Sequence, residues 1–288
     1  MSVRPKKRLG QHFLTDPNTV RRIVDAVDAP SGAQVVEIGP GEGALTGHLL
    51  DRYSDLIALE VDPEAVAHLR ARFPRLDVRQ GDVLDTNWEA LATEVVSPET
   101  PRGASLRGAA SGQVAASPAD PDRRSPSSVR PLFVVGNLPY YITSPILFAL
   151  LDARAHVARA VVMVQKEVAD RLAAPPGSKT YGTLSVYFAL YAEAAVLFDV
   201  SRHCFRPKPA VESAVVGLDF AAASGPDVPF EALQRVVRAA FGQRRKMLRN
   251  SLGPVFAAAS VDVPAWAATR RPEAVSPADF VRLARLLA

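Results

Sequence analysis

The chain has 288 residues, of which 48% are hydrophobic, and its formal net charge is +4 with a pI near 9.4. This composition supports a sizeable core in one large domain or two smaller ones, and the basic balance favours a polyanionic partner without requiring one. The single cysteine, Cys204, excludes an intramolecular disulfide and a cysteine-rich metal site, so we expect a reduced, cytoplasmic setting. No apolar run is long enough to cross a bilayer, and the basic start of the chain, residues 1–14, lacks the apolar core of a signal peptide.

Apolar runs rich in β-branched residues then alternate with helical patterns. Such runs are typical of buried strands in a mostly parallel sheet. The predicted strands are 34–39, 56–62, 77–82, 132–138 and 158–165. A capping residue followed by proline predicts helix starts at Asp16, Asp62 and Ser144. The alternation predicts βαβ units and an α/β fold with a doubly wound sheet.

Residues 97–131 interrupt this alternation before the fourth predicted strand. They are rich in Ser, Pro, Ala and Gly and contain no aromatic residue, so they cannot bury enough apolar surface to offset the entropy lost on ordering. We expect a flexible inserted loop. The segment also carries five arginines, so a basic arm that contacts nucleic acid is the alternative.

Two further strands are predicted at 194–201 and 213–220. The link between them is short and contains prolines, whereas a helical crossover between parallel strands needs a dozen residues or more. We therefore expect this pair to be antiparallel, so that the sheet ends with an antiparallel strand.

Only helical patterns follow residue 227. Apolar residues at helical spacing predict a helix over 230–250; they are Leu233, Val236, Val237, Ala240 and Phe241. Ser276 and Asp279 form a capping-box pattern before the last helix. The predicted division is a sheet domain at 1–221 and a small all-helical domain at 222–288.

Glycines follow the first predicted strand at Gly39, Gly41 and Gly43. Glycine lets the backbone turn tightly there and lets a ligand approach the chain closely, and the helix that follows supplies unpaired N–H groups. The G-x-G-x-G spacing differs from the G-x-G-x-x-G of dinucleotide binders, and a turn without any ligand is the plainer alternative.

Two carboxylates mark the ends of the next two predicted strands. Glu60 can accept hydrogen bonds from both hydroxyls of a ribose, and Asp82 can accept one from the exocyclic amine of adenine. A capping or solvated role is the alternative for each acid alone. Because the carboxyl ends of parallel strands share one edge of the sheet, the glycines and both acids together favour a nucleoside site.

The fourth predicted strand leads into the sequence NLPYY at 137–141. If the substrate is the exocyclic amine of adenine, the Asn137 side-chain oxygen and the Leu138 carbonyl can accept its two N–H groups and aim the nitrogen lone pair. Pro139 stiffens the turn, and Tyr140 offers a face for base stacking. The alternative is a turn with a buried tyrosine. An NAD site would share the glycines and Glu60, but S-adenosylmethionine also accounts for the antiparallel strand and for NLPYY.

At this point the chain resembles the ribosomal RNA adenine N6,N6-dimethyltransferase family, and most closely its small-subunit members. The similarity covers nearly the whole chain except the insert at 97–131. The segments that carry it are KKRLGQHFL (6–14), VVEIGPGEGALT (35–46), NLPYYITSP (137–145), FRPKPAVESAVV (205–216) and FGQRRKMLRNSL (241–252). The resemblance implies a Rossmann-like sheet that binds S-adenosylmethionine, followed by a helical RNA-binding domain.

The resemblance also implies further site residues. His12 and Leu14 are expected to line the cofactor pocket, which Asn137 also borders. Many family members carry asparagine at the position of His12, so its contact is expected to be through the backbone or different in kind. We favour a pocket wall over a general base for this histidine.

Four cations of the C-terminal region are expected to contact RNA phosphates, and a solvated basic face is the alternative. They are Arg244, Arg245, Lys246 and Arg249, which we expect to extend the helix at 230–250. No metal is expected.

By resemblance, the substrate would be two adjacent adenosines near the 3′ end of small-subunit ribosomal RNA in pre-ribosomal particles. Structured RNA is recognised mainly through shape and unpaired bases, so these adenines should be unpaired or splayed out. The enzyme is expected to act as a monomer. Two alternatives stay open: a resistance-type methyltransferase acting on large-subunit RNA, and a ribosome-assembly factor whose binding matters more than its chemistry.

Overall fold

The computed structural model describes residues 6, 10–94 and 130–288. The predicted insert therefore lies outside the described residues, apart from Arg130 and Pro131. The strands of the described ranges are β1 (Phe13–Leu14), β2 (Gln34–Ile38), β3 (Leu56–Glu60), β4 (Asp77–Gln80), β5 (Leu132–Asn137), β6 (Val157–Gln165), β7 (Glu193–Val200), β8 (Phe205–Arg206) and β9 (Ser213–Asp219). The helices are α1 (Pro17–Val27), α2 (Thr46–Arg52), α3 (Pro63–Arg72), α4 (Trp88–Thr93), α5 (Thr143–Asp152), α6 (Lys166–Leu172), α7 (Thr183–Tyr191), α8 (Phe230–Gly242), α9 (Leu248–Ser251), α10 (Gly253–Ala258), α11 (Ala265–Ala268) and α12 (Pro277–Arg285).

The main sheet has seven strands in the order β4-β3-β2-β5-β6-β9-β7. Strands β2 to β6 are mutually parallel, while β9 runs antiparallel to both β6 and β7. The predicted fold class, including the final antiparallel strand, is therefore confirmed. The chain order reverses between β2 and β5, and in such sheets ligands bind outside the carboxyl ends of the strands at this point.

The central strands β2 and β3 are buried along their whole length because helices cover both faces of the sheet there. Along β2, Val36 and Ile38 belong to the apolar cluster beneath α4 and α5, whereas Val35 belongs to the cluster beneath α1, α2 and α3. The first of these clusters continues into the C-terminal helices, where it includes Val236 and Phe280. Residues 222–288 contain helices and turns but no strand, as predicted; the domain division at 221 stays a prediction.

Capping side chains set several element ends. Asp16 Oδ2 accepts a hydrogen bond from Thr19 N at 2.7 Å and caps α1, and Asp62 Oδ1 accepts one from Glu64 N at 3.1 Å and caps α3. The predicted helix start at Ser144 is wrong. A short 3₁₀ turn runs directly into α5, which begins at Thr143, so its N-cap position is Ile142, two residues before the predicted cap at Ser144.

The predicted helix over 230–250 is also wrong in its second half. Helix α8 ends at Gly242, a poor helix former, and the next helix, α9, begins only at Leu248. Arg244, Arg245 and Lys246 therefore lie in the turn between two helices rather than on a continuous helical face. Arg249 lies on the short helix α9.

The two described flanks of the insert meet at the edge of the sheet opposite the carboxyl ends. Arg130 N donates a hydrogen bond to the Ala92 carbonyl at 2.9 Å. The Arg130 guanidinium donates to the Gly32 carbonyl at 2.6 Å and to Asp55 Oδ2 at 2.7 Å. Because Gly32, Asp55 and Arg130 lie just before β2, β3 and β5, the described residues that flank the insert lie near the amino ends of the strands.

Candidate active site

A cavity lies outside the carboxyl ends of β2, β3, β4 and β5. It brings together all the residues predicted from sequence for the cofactor and the methyl acceptor, except Leu14 and Gly43. Those that line it are His12, Gly39, Gly41, Glu60, Asp82, Asn137, Leu138, Pro139 and Tyr140. The topology thus unites side chains that are far apart in sequence, as expected for a doubly wound sheet.

Glu60 is buried at the end of β3, with 4% of its surface exposed. Its Oε2 accepts a hydrogen bond from Gly41 N at 3.0 Å, and its Oε1 accepts one from Asp62 N at 2.9 Å. Burial raises the pKa of Glu60, and these backbone N–H groups act in the opposite direction. A carboxylate oxygen has two lone pairs, so each oxygen can accept one further hydrogen bond from a ligand.

The glycine turn needs glycine for two reasons. Gly39 and Gly41 have φ values of +62° and +57°, in the left-handed region that side chains disfavour. A Cβ atom at Gly41 would lie 2.8 Å from the Phe13 ring, whereas one at Gly39 would meet nothing within 4 Å. The backbone at Gly39 therefore faces open space, where a ligand can approach it.

Asp82 lies two residues beyond the end of β4 and is exposed. Its Oδ1 accepts a hydrogen bond from Leu84 N at 3.0 Å and caps a 3₁₀ turn. Asp82 therefore does have the capping role that was the alternative to ligand binding, but this role occupies only one of its two carboxylate oxygens. The other oxygen has no hydrogen-bond donor among the described residues, and Asp82 is one of the residues that line the cavity.

Asn137 and Leu138 line the cavity, and each has a hydrogen-bond acceptor without a partner among the described residues. Asn137 Nδ2 donates a hydrogen bond to the His12 carbonyl at 2.8 Å. Because a carbonyl can only accept, this bond fixes the amide orientation and leaves Oδ1 as the free acceptor. Leu138 N donates to the Met163 carbonyl at 3.0 Å, while no donor in the described part of the chain reaches the Leu138 carbonyl.

Tyr140 forms a half-buried wall of the cavity. Its hydroxyl hydrogen-bonds to Ser213 Oγ at 2.6 Å, and burial raises its pKa. Its ring stacks on the His12 ring, with centroids 5.4 Å apart and an interplanar angle of 27°. One face of Tyr140 is therefore occupied by His12, so the predicted base stacking concerns only the opposite face. His12 lines the cavity, and its predicted role as a pocket wall rather than a general base stays a prediction.

A neighbouring cavity contains Leu14 and a residue that the sequence analysis missed, Glu37. Leu14 is buried and does not line the first cavity. Glu37 is 1% exposed, and its Oε2 accepts a hydrogen bond from Thr46 Oγ1 at 2.7 Å. Burial raises its pKa to about 8, with the nearby Glu60 acting in the same direction. The sequence did contain a signal for this residue, an acidic side chain inside an otherwise apolar strand. Burying an ionised carboxyl group costs free energy unless the group is paired or hydrogen-bonded, so such a residue is a candidate for a functional role.

Lys6 and Gln11, which precede β1, are hydrogen-bonded to each other, and Lys6 also reaches the start of α3. Lys6 Nζ lies 2.6 Å from Asp62 Oδ1 and 3.1 Å from Glu64 Oε2, and Lys6 N donates to Gln11 Oε1 at 2.9 Å. Gln11 itself lines the cavity. These contacts connect the start of the chain to the cap of α3, next to Glu60.

The four cations predicted to contact RNA differ in their surroundings. Arg244 Nε lies 3.4 Å from Glu273 Oε2, and its Nη2 donates to the Lys179 carbonyl at 2.6 Å. Arg245, Lys246 and Arg249 are exposed and form no ion pair within the described ranges. A structural role is thus visible for Arg244, and the other three are available to a polyanion.

Two searches of the described residues found no candidates. No group of three or more His, Cys, Asp or Glu side chains there could hold a metal ion. Among the helices of residues 10–94 and 130–288, none has the length and apolarity needed to cross a membrane.

Comparison with known proteins gives consistent relatives along the whole chain. A sequence model described as ribosomal RNA adenine dimethylase matches residues 3–288. The chain is 45% identical over 285 residues to a ribosomal RNA small subunit methyltransferase A from Salinibacter ruber, with 99% of this chain and 85% of that protein covered. It is 41% identical over 287 residues to a protein of the same name from Xanthomonas euvesicatoria, with 98% and 95% covered.

Solved structures agree on the fold. A dimethyladenosine transferase from Plasmodium falciparum superposes with a TM-score of 0.68 at 22% identity, covering 94% of this chain and 96% of that one. The 23S ribosomal RNA methyltransferase ErmE gives a TM-score of 0.58 at 26% identity, covering 96% and 99%. The similarity extends over both the sheet and the C-terminal helices.

Proposed function

We propose a function from one premise: the chain belongs to the ribosomal RNA adenine dimethylase family. It is an adenine dimethyltransferase of ribosomal RNA. Its substrate, in this proposal, is small-subunit RNA, on which it converts two adjacent adenosines near the 3′ end to N6,N6-dimethyladenosine. Small-subunit methyltransferases at 40–45% identity over nearly the full chain support this substrate, whereas the structure named as a 23S methyltransferase is only 26% identical.

The cavity suits S-adenosylmethionine as the methyl donor. When bound, this cofactor would supply an electrophilic methyl group on a sulfonium. Glu60 would accept hydrogen bonds from the ribose hydroxyls with the lone pairs that Gly41 N and Asp62 N leave free. The unpaired oxygen of Asp82 would accept from the adenine amine. Gly39, where a side chain would enter open space, admits the ligand close to the backbone.

The methyl-acceptor side depends on two unpaired acceptors, and this observation carries the proposal. The exocyclic amine of adenine is a poor nucleophile because its lone pair is delocalised into the ring. Asn137 Oδ1 and the Leu138 carbonyl would accept its two N–H groups and turn the lone pair toward the methyl group. Asn137 can do so because its Nδ2 is held by the His12 carbonyl at 2.8 Å. Such orientation is a large source of rate in group transfer.

The same acceptors permit a second transfer. The monomethylated amine keeps one N–H, so one of the two acceptors suffices, and the proton is lost readily because methylation makes the amine acidic. No side chain with a strong base is then required. This agrees with the role of His12 as a wall rather than a proton acceptor.

Further proposals concern the setting. We infer that the natural substrate is the RNA within pre-ribosomal particles, and that the enzyme works as a monomer in the cytoplasm. Arg245, Lys246 and Arg249 support RNA contact because they are exposed and without an ion pair in the described part of the chain. A role in small-subunit maturation can coexist with the chemistry, since the acceptor site is complete.

Nucleoside mass spectrometry tests the substrate and product. The protein and isotope-labelled cofactor are incubated separately with unmethylated small-subunit particles, large-subunit RNA and duplex DNA, and each is digested to nucleosides. We expect labelled N6,N6-dimethyladenosine from the small-subunit particles alone. Dimethyladenosine from large-subunit RNA would instead favour the resistance-type activity. Tight particle binding without methyl transfer would favour an assembly factor.

A further inference from the structure

We propose that His12 is a positioning residue for methyl transfer, because it connects the Asn137 carboxamide to the segment that follows β8. This inference rests on the proposed function, in which Asn137 orients the substrate amine, and it assigns His12 a role beyond that of a pocket wall. Three contacts of His12 carry it: two are with residues 137–140 at the end of β5, and one is with Pro207 after β8.

The first two contacts use opposite ends of His12. Its backbone carbonyl accepts the hydrogen bond from Asn137 Nδ2 at 2.8 Å. Its ring Nδ1 lies 2.7 Å from the Pro207 carbonyl oxygen. Since that oxygen can only accept, Nδ1 must carry a proton, and the side chain is a donor to Pro207. The third contact is the stacking of the His12 ring on Tyr140.

The pairing of β1 with β8 explains why a side chain makes the bond to Pro207. These two-residue strands are antiparallel, with Phe13 opposite Arg206. The next residues outward are His12 and Pro207. Proline has no N–H and cannot continue a ladder of backbone hydrogen bonds. The imidazole N–H therefore extends the connection between the two segments by one residue.

This arrangement determines which way the Asn137 amide faces. The His12 carbonyl keeps Nδ2 away from the substrate and Oδ1 available to it. If the His12 backbone shifts, the Asn137 side chain loses the carbonyl that holds its Nδ2. The carboxamide could then rotate by half a turn, and Nδ2, a donor, would face the substrate amine in place of Oδ1. Loss of the bond to Pro207 should therefore slow methyl transfer more than it weakens cofactor binding.

A matched pair of variants isolates this hydrogen bond. His12→Asn places an N–H two bonds beyond Cβ, as Nδ1 is, whereas His12→Gln places it three bonds beyond, as Nε2 is. Both variants lose the ring, so only the bond to Pro207 differs between them. The measurements are the single-turnover rate of the first methyl transfer on small-subunit particles at saturating cofactor, and the cofactor Kd by calorimetry.

We expect the His12→Gln rate to be about threefold to tenfold below that of His12→Asn, the factor that one neutral hydrogen bond provides. The cofactor Kd values of the two variants should agree within about twofold, and their unfolding midpoints should coincide. Equal transfer rates would overturn the proposal. So would a rate difference that follows a difference in cofactor affinity or stability.

The bond can also be observed without any activity. The chain has five histidines, and ¹⁵N spectra that correlate ring nitrogens with ring protons distinguish the two neutral tautomers; the His12→Asn variant assigns the signal. We expect His12 to carry a proton on Nδ1. A proton on Nε2 alone would overturn the inference. If the parent protein transferred no methyl group at all, the proposed function would fail, and this spectrum would still decide whether the bond exists.

Discussion

Two buried glutamates, Glu37 and Glu60, lie near the carboxyl end of the sheet, and they differ in their hydrogen-bond partners. Glu60 accepts two backbone N–H groups, whereas the only hydrogen bond to the Glu37 carboxyl in the described residues comes from the Thr46 hydroxyl. Burial raises the pKa of Glu37 to about 8, so this residue is mostly protonated at neutral pH. Burial also raises the pKa of Glu60, but the N–H groups of Gly41 and Asp62 oppose this effect by donating to its carboxylate.

The first prediction concerns Glu60. Glu60→Ala should weaken cofactor binding by roughly ten- to a hundred-fold, because two ribose hydroxyls lose a charged acceptor. It should also lower the free energy of unfolding by about 1–3 kcal/mol, since Gly41 N and Asp62 N lose their partner. Calorimetry and urea unfolding measure the two effects. The control is Asp51→Ala, which changes an exposed acid at the opposite edge of the sheet. An unchanged cofactor affinity in Glu60→Ala would mean that Glu60 does not bind the ribose.

The second prediction uses the raised pKa of Glu37. Between the ordinary value of 4.5 and the folded value of about 8, the folded protein holds a proton that the unfolded chain has released. The stability that this proton provides is therefore complete at low pH and is lost as pH rises through about 8. Relative to Glu37→Gln, the parent should lose on the order of 3 kcal/mol of unfolding free energy between about pH 5 and pH 8. Parallel stability curves for the two proteins would contradict the assignment.

At the level of elements, sequence patterns located the strands but not all their ends. Predicted and observed strands agree within two residues because an apolar run reports burial on both faces. Some ends depend on side-chain caps instead, as at Asp62. The two-residue pair of β1 and β8 is too short to show any periodicity, and it forms between segments far apart in sequence. The turn at Arg244 was missed because helix-forming residues continue past Gly242.

A third prediction concerns the insert. Replacing residues 100–128 with a short Gly-Ser linker should leave cofactor affinity and the free energy of unfolding nearly unchanged. The flanking residues already meet through Arg130 N and the Ala92 carbonyl at 2.9 Å, and each doubling of loop length costs only about 0.6 kcal/mol. Urea unfolding and calorimetry test this. A loss of several kcal/mol would mean that the segment packs against the rest of the chain.

The fourth prediction separates the basic residues of the turn after α8. Replacing Arg245 and Lys246 with alanine should weaken RNA binding and reduce its salt dependence by about 0.7–0.9 per lost phosphate contact. The charge-matched control replaces Arg52 and Arg75, at the edge of the sheet opposite the cavity, and should not alter the slope. Filter binding at several salt concentrations gives both values. An unaltered salt dependence in the first variant would mean that Arg245 and Lys246 belong to a solvated basic face and do not contact RNA phosphates.

For the whole molecule, the family resemblance found in the sequence is confirmed by a match over residues 3–288. Most candidate site residues could be predicted because parallel strands bring their carboxyl ends to one edge. The contacts of His12 with Pro207 and Asn137 could not, since they join segments more than a hundred residues apart. Local sequence patterns contain no information about pairs that are far apart in the chain. The contact of Lys6 with Asp62, 56 residues apart, could not be predicted for the same reason.

The most direct test of the central claim, that Asn137 orients the adenine amine, is the single-turnover rate of the first methyl transfer in Asn137→Ala at saturating cofactor. Asn18→Ala, an exposed amide on α1, serves as the control. Misorientation of a reacting group costs about a hundredfold in rate, so we predict a loss of about that size in Asn137→Ala alone, with particle binding retained. A transfer rate within a few-fold of the parent would contradict the account.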